Sequence, residues 1–291
     1  MKELFVEKMF RPDAVEVVRR ANGIIKEYQE AGYTLTLRQL YYQFVARGLV
    51  PNTDKSYTRL GNIISDARLA GLVDWSAIDD LTRRVRSLSH WNSPADIVRA
   101  CADQYHRNWW FGMDNYVEVW VEKDALIGIV AQSCEKLDVP CLSCRGYVSQ
   151  TAMYVASKRF HHRARKKCVL LHLGDHDPSG IDMTRDIQDR LTMFKTQVEV
   201  DRIALNMDQV RQYNPPPNPA KLTDSRCAAY VQEYGDESWE LDALPPDVIE
   251  ELIKKNVLLY CNPKVWNLNI QQEKEEQEVL KGAATKLEEA E

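Results

Sequence analysis

The sequence predicts an α/β protein in two parts, a helical N-terminal module followed by a doubly wound parallel sheet. Three observations predict it. Helical apolar spacing recurs three times before residue 72, each time closed by a glycine. Beyond residue 115 the rhythm changes to β-rich runs alternating with helical ones, as in parallel strands joined by crossover helices. The chain has 291 residues, 44% hydrophobic and 28% charged, which suits one large globular domain or two ordinary ones.

The first module builds from three helices. Pro12 sits in a first helical turn, and Val15, Val18, Ala21, Ile25 and Tyr28 follow at inward spacing until Gly32. In TLRQLYYQFVARG, Thr36 and Gln39 form a capping box. Leu37, Leu40, Tyr41, Phe44 and Val45 then make an inward stripe, ended by Gly48. A third helix runs from about Asp54 to Leu69, with Tyr57, Leu60, Ile63, Ile64 and Ala67 inward and Gly71 closing it. With LVDWSAI behind them, these helices fit a helix-turn-helix or winged-helix module, a pattern that small helical bundles share.

Asn92-Ser93-Pro94 then starts a helix within a connecting segment. Strands are expected at 116–122, 139–144, 167–173 and 198–205, with helices at 124–137, from Ser149 to about 160, and at 180–194. NPPPNP (214–219) reads as a stiff extended loop, 246–259 as a late helix, and the last residues as a solvated helix or frayed tail. The expected organisation is 1–90 winged-helix-like and DNA-binding, 91–115 connecting, 116–265 the sheet domain, and 266–291 an acidic tail.

Composition narrows the setting. No run of 18 apolar residues exists, the N-terminus lacks a secretory h-region, and seven cysteines make an odd, scattered set. A cytoplasmic, membrane-free protein is expected, nucleoid-associated in a bacterium or archaeon. Net charge is −5, but residues 1–110 carry 16 Lys and Arg against 13 Asp and Glu, or +3, and the remainder −8. A DNA partner needs a basic face rather than a basic total.

The chemistry gathers where two expected strands end. VEVWVE ends at Glu122, and VLLHLGD delivers Asp175 with Asp177 two residues on. Ligands in doubly wound sheets sit beyond the carboxyl ends of strands, so Glu122, Asp175 and Asp177 are brought to one edge. Converging carboxylates without matched Cys or His favour a hard cation, Mg2+ or Mn2+, and phosphodiester chemistry. D-x-D also serves as an ordinary capped turn, and Lys123 fits either a phosphate contact or a solvated helix residue. Glu240 and Asp242, in ELDALPP, fit either support of that metal or turn and cap roles. Cys141-x-x-Cys144 lacks the second pair a zinc site needs.

The motifs VEKDA (121–125), RGY (145–147) and GDHDPSGID (174–182) resemble the Toprim domain, in particular that of the catalytic A subunit of topoisomerase VI and its meiotic relative. That family carries a winged-helix domain with a nucleophilic tyrosine in R-x-x-[YF]-Y, matched here by Arg38-Gln39-Leu40-Tyr41-Tyr42, and the resemblance spans about residues 10–260. Gln39 stands where the family usually has an acid, and Ser179 replaces a commoner aromatic. The chain is also shorter than the usual A subunit.

Helix geometry separates the two tyrosines. Tyr41 continues the apolar stripe, while Tyr42 is turned 100° away and lies one turn from Arg38. Its alternative reading is an ordinary boundary tyrosine. The resemblance implies that Tyr42 attacks a DNA phosphate to form a 5′-phosphotyrosyl link. Arg38 would favour the phenolate and hold the phosphate, and Glu122 would shuttle a proton. It further implies double-stranded DNA as substrate and a homodimer in which one protomer's tyrosine meets the other's acids. A separate GHKL ATPase subunit would drive any strand passage. Two other readings stand beside it: a Toprim nuclease using metal-activated water, with Tyr42 structural, and a non-catalytic DNA-binding protein. Lys55, Arg59 and Arg68, with Lys123, are the candidate DNA contacts, and the basic run KRFHHRARKK (158–167) fits either a DNA groove or a solvated helix end.

Overall fold

The computed structural model describes residues 2–30, 32–78, 88–220, 224 and 226–289. The N-terminal module consists of α1 (Pro12–Glu30), α2 (Leu37–Ala46) and α3 (Asp54–Leu69). The Thr36–Gln39 capping box is present, and Gly32, Gly48 and Gly71 all take positive φ after their helices. Val18, Ala21, Ile24, Ile25 and Tyr28 of α1 pack on Leu40, Tyr41 and Phe44 of α2 and on Leu60, Ile64 and Ala67 of α3. Val15, expected inward, is exposed. At 100° per residue the buried face centres near Ala21 and Tyr28, which leaves Val15 about 115° off it. After α3 a short 3-10 turn (Trp75–Ala77) follows, and Leu35 bridges Ile78 in parallel. Among the described residues the module shows no β-hairpin wing, and residues 79–87, part of the expected 1–90 module, lie outside the described residues.

The second part alternates strand and helix: β1 (Asn115–Val121), α5 (Ile127–Glu135), β2 (Cys141–Ser143), α6 (Gln150–His161), β3 (Lys167–Leu173), α7 (Pro178–Met193) and β4 (Glu199–Ala204). The four strands are parallel in the order β2-β1-β3-β4, with Val117 beside Val169 and Val121 beside Leu173. Side chains alternate between two cores. Val117, Val119 and Val121 join Val169, Leu171 and Leu173 on the α5 face, while Trp120, Cys168 and Leu170 pack against Met153 and Phe160 of α6 and Ile187 of α7. Burial on both faces explains why these strands read as nearly continuous apolar runs.

Beyond β4 lie α8 (Met207–Tyr213) and α9 (Cys227–Tyr234), and three further helices matter for position. α4 (Pro94–Gln104), capped by Ser93, lies in the connecting segment. α10 (Pro246–Leu258) closes the α5 face. The last residues form α11 (Pro263–Glu288), which packs along α4 rather than fraying. Trp266 and Ala284 are buried there, and Glu273 accepts hydrogen bonds from the Trp109 indole and the Arg107 amide. No described helix is long and apolar enough to cross a membrane.

Candidate metal-binding centre

The sheet delivers its acids by register. β1 and β3 run parallel and level, so Glu122 and Gly174-Asp175 leave the sheet side by side. The Glu122 Oε2 accepts the Asp175 amide at 2.9 Å, and the Glu122 amide binds the Leu173 carbonyl at 2.8 Å. Two glycines make room. A Cβ on Gly180 would lie 2.2 Å from the Asp175 carbonyl oxygen, and one on Gly174 would press on Glu122, Arg202 and His172. Asp177 caps α7, accepting from the Gly180 amide at 2.6 Å and the Ser179 hydroxyl at 3.0 Å.

A second segment reaches the same place from far along the chain. His176 and Trp239 exchange both backbone hydrogen bonds, at 2.8 and 2.9 Å, and lay residues 239–243 across the loop. Asp175 Oδ1 accepts the Leu241 amide at 2.8 Å. Glu240 and Asp242 thereby meet Asp175, and oxygens of the three carboxylates lie within 4.8 Å of one another. The expected grouping of Glu122, Asp175 and Asp177 shares only Asp175 with this one. The described carboxylates that converge are Asp175, Glu240 and Asp242, whereas Glu122 and Asp177 are occupied in shaping the loop. The sequence marked Glu240 and Asp242 only as supporting possibilities, because nothing local places residue 240 beside residue 175.

Lys123 sits inside this cluster. Its Nζ is 2.9 Å from both Asp175 and Asp242 and also donates to Glu240. Burial disfavours its charge, yet the three carboxylates outweigh burial and hold the ammonium well above its ordinary pKa. Lys123, expected as a DNA contact, is thus turned into the cluster, with its side chain 18% exposed. Burial pushes Asp175 well above the carboxylate range, against the pull of Lys123, and burial raises Glu122 likewise, against the Asp175 amide. Arg202, which sequence reasoning missed, donates to the carbonyls of Gly174, Asp175, Gly180 and Leu205 and holds the loop from β4. Nothing local marked it, because β4 reads EVDRIA and Arg202 there is one charged residue among three.

The N-terminal module closes the site. Ala243 packs in the three-helix core, so the segment carrying Glu240 and Asp242 rests on α2. Arg38 Nε lies 3.3 Å from Asp242 Oδ2, its Nη2 lies 3.6 Å from Glu240, and the same Nη2 donates to the Tyr42 hydroxyl at 3.3 Å. Tyr42 is 4% exposed rather than at a boundary. Burial pushes its phenol up, Asp242 and Glu240 push further, and Arg38 and Lys123 pull the other way without prevailing. Arg38 does favour the phenolate, as expected, but desolvation and two carboxylates outweigh one guanidinium, so the net direction is upward. Tyr41 donates to Asn52 at 3.0 Å and accepts the Thr53 amide at 2.8 Å. Tyr42, Asp175, Asp177, Glu240 and Arg38 line one cavity of about 430 Å3.

The remaining basic candidates fall elsewhere. Lys55 and Arg59 are exposed and line a separate surface hollow, where Arg59 pairs with Asp13 at 2.7 Å. Arg68 is half-buried, donating to the Trp75 carbonyl at 2.7 Å and stacking on its ring. In the basic run 158–167, Arg159 binds Glu118 and Lys167 pairs with Glu199. That run leads into the start of β3, a strand of seven residues, and so lies about 20 Å from the acids beyond the strand's end.

The donor set fits a hard divalent cation. All candidate ligand atoms are oxygens, and the three converging carboxylates (Asp175, Glu240, Asp242) outnumber the two cations that touch them, Lys123 and Arg38. Asp242 Oδ2 is buried and accepts no hydrogen bond, although Arg38 stands near it. No family model and no curated protein matches this chain.

Proposed function

We propose that the chain is a metal-dependent DNA-cleaving transesterase of the topoisomerase VI A type, with a winged-helix-like and a Toprim-like half and Tyr42 as nucleophile. One observation carries the reading: Arg38 touches both the Tyr42 hydroxyl and the acids Glu240 and Asp242, so nucleophile, guanidinium and carboxylate centre share one cavity. Asp175, Glu240 and Asp242 would hold Mg2+ or Mn2+, which when bound supplies positive charge for the phosphate under attack. Tyr42 oxygen forms the new bond to phosphorus as the bond to the 3′ oxygen breaks, leaving a 5′-phosphotyrosyl link and a 3′ hydroxyl. Because the phenol is held protonated, its proton leaves as that bond forms, to a carboxylate of the cluster, and a proton returns to the 3′ oxygen. Arg38 orients the phosphate and balances its charge.

The proposal takes double-stranded DNA as substrate and a homodimer as the unit that cuts both strands, with a GHKL ATPase subunit needed for strand passage. The resemblance implies a tyrosine supplied in trans, yet Tyr42 here lies beside its own chain's acids, so each chain holds a complete set. A second reading, water-based cleavage with Tyr42 structural, is favoured by the burial of Tyr42. Incubation of wild type and Tyr42→Phe with supercoiled DNA and Mg2+ separates them. A covalent adduct in wild type that disappears in the variant supports transesterification, and equal free ends from both support the nuclease. If Asp175→Ala behaves as wild type, neither cleavage reading holds and DNA binding without turnover is left.

A further inference from the structure

The ammonium of Lys123 occupies the point where the three carboxylates converge. We infer that Lys123 is an exchangeable internal cation of this centre, and that a divalent metal and the lysine hold it alternately. The inference rests on the proposed metal site and adds to it a residue that works against metal binding.

The geometry makes the two occupants exclusive. Lys123 Nζ lies 2.9 Å from oxygens of Asp175 and Asp242 and also contacts Glu240, so it uses the same three carboxylates a metal would use. A small divalent ion needs its oxygens at about 2.0–2.1 Å, which places it within the triangle already filled by Nζ. Two positive centres that close repel strongly in a site this buried. Asp242 is 1% exposed and its Oδ2 accepts no hydrogen bond, even from Arg38 Nε 3.3 Å away, so the two cations leave part of the acceptor capacity unused. The displaced side chain has somewhere to go. A hollow of about 290 Å3, lined by Lys123 together with Arg38, Glu122, Asp124, Arg145 and Gly146, adjoins the cluster. Lys123 precedes a short 3-10 turn rather than lying within the sheet, so its side chain can swing without breaking a strand.

Mn2+ binding to the full chain, followed by calorimetry and by Mn2+ electron paramagnetic resonance, tests the exchange without recourse to DNA cleavage. Lys123→Met should bind Mn2+ roughly tenfold tighter than wild type, and Lys123→Arg should gain nothing, because its charge remains. Equal or weaker binding by Lys123→Met overturns the inference. Should that variant fail to fold, amine-reactive labelling of wild type read by mass spectrometry replaces it. Lys123 should be protected without metal and become labelled when Mg2+ is added, and unchanged or reduced labelling overturns the inference equally. Wild type that binds Mn2+ while Lys123→Met shows no gain removes only the exchange, whereas no Mn2+ binding by either protein removes the metal site as well.

Discussion

Two buried carboxylate networks lie within a few residues of each other on β1, and they are built on opposite terms. Glu118, in mid-strand, is 1% exposed and saturated. Arg159 binds it with two hydrogen bonds, at 3.0 and 2.9 Å, and the Tyr116 hydroxyl and Trp120 indole complete its shell at 2.8 and 2.9 Å. Around Lys123, five residues along, carboxylates outnumber cations and one buried oxygen takes no hydrogen bond. A carboxylate buried for stability is neutralised and fully bonded. One buried with charge to spare needs a further cation, and this difference separates scaffold from site here.

The largest effect tests the saturated network. Arg159→Met leaves the Glu118 charge buried and should cost about 3 kcal/mol, read by urea denaturation, while Mn2+ binding by the folded variant is unchanged. A loss under about 1 kcal/mol would show that Glu118 is not held as described.

A smaller effect tests a buried polar group that belongs to neither network. His172 is fully buried, with Nδ1 bonded to Thr184 at 2.8 Å and Nε2 without a hydrogen-bond partner. Burial, helped by Arg202, lowers its pKa from 6.5 to about 3. The unfolded chain then binds the proton more readily, so this contribution is complete above pH 6.5 and is lost progressively as pH falls toward 3. One unit below 6.5 the loss is about 1.4 kcal/mol. His172→Gln should flatten the stability profile between pH 7.5 and 5.5, and an unchanged slope refutes the assignment.

The smallest effect sharpens the contrast most. Asp242→Asn removes a charge from the overcharged cluster and keeps an acceptor for Lys123, so stability should move by less than about 1 kcal/mol. Mn2+ affinity should nevertheless fall by at least roughly tenfold. A destabilisation near that of Arg159→Met would make Asp242 a scaffold residue.

Much of the scaffold was legible in local pattern. Thr36 with Gln39 fixed the start of α2, and Ser93 and Ser149 marked helix starts that the structure confirms as caps. KCVLLHL gave β3 to the residue, because a strand buried on both faces leaves an unbroken apolar run. The end of the chain was harder to read, since α11 carries mostly polar residues and its order comes from α4. Of the site, Asp175 and the one-turn spacing of Arg38 and Tyr42 were readable, while the burial of Tyr42 was not. Helical phase turned it away from the expected stripe, yet it joins its own module's core, which Ala243 from far along the chain completes.

By itself the sequence determined the helix caps, the alternation of strands and helices, and the delivery of acids to one edge of the sheet. These follow from interactions between residues near in sequence and from the shared direction of parallel strands. Which acids meet was decided only in three dimensions. The His176–Trp239 bridge carries Glu240 and Asp242 to Asp175, and Lys123 turns inward because three carboxylates surround it. Charge is a property of the residue, but burial and partners, which set what a charge does, belong to the fold.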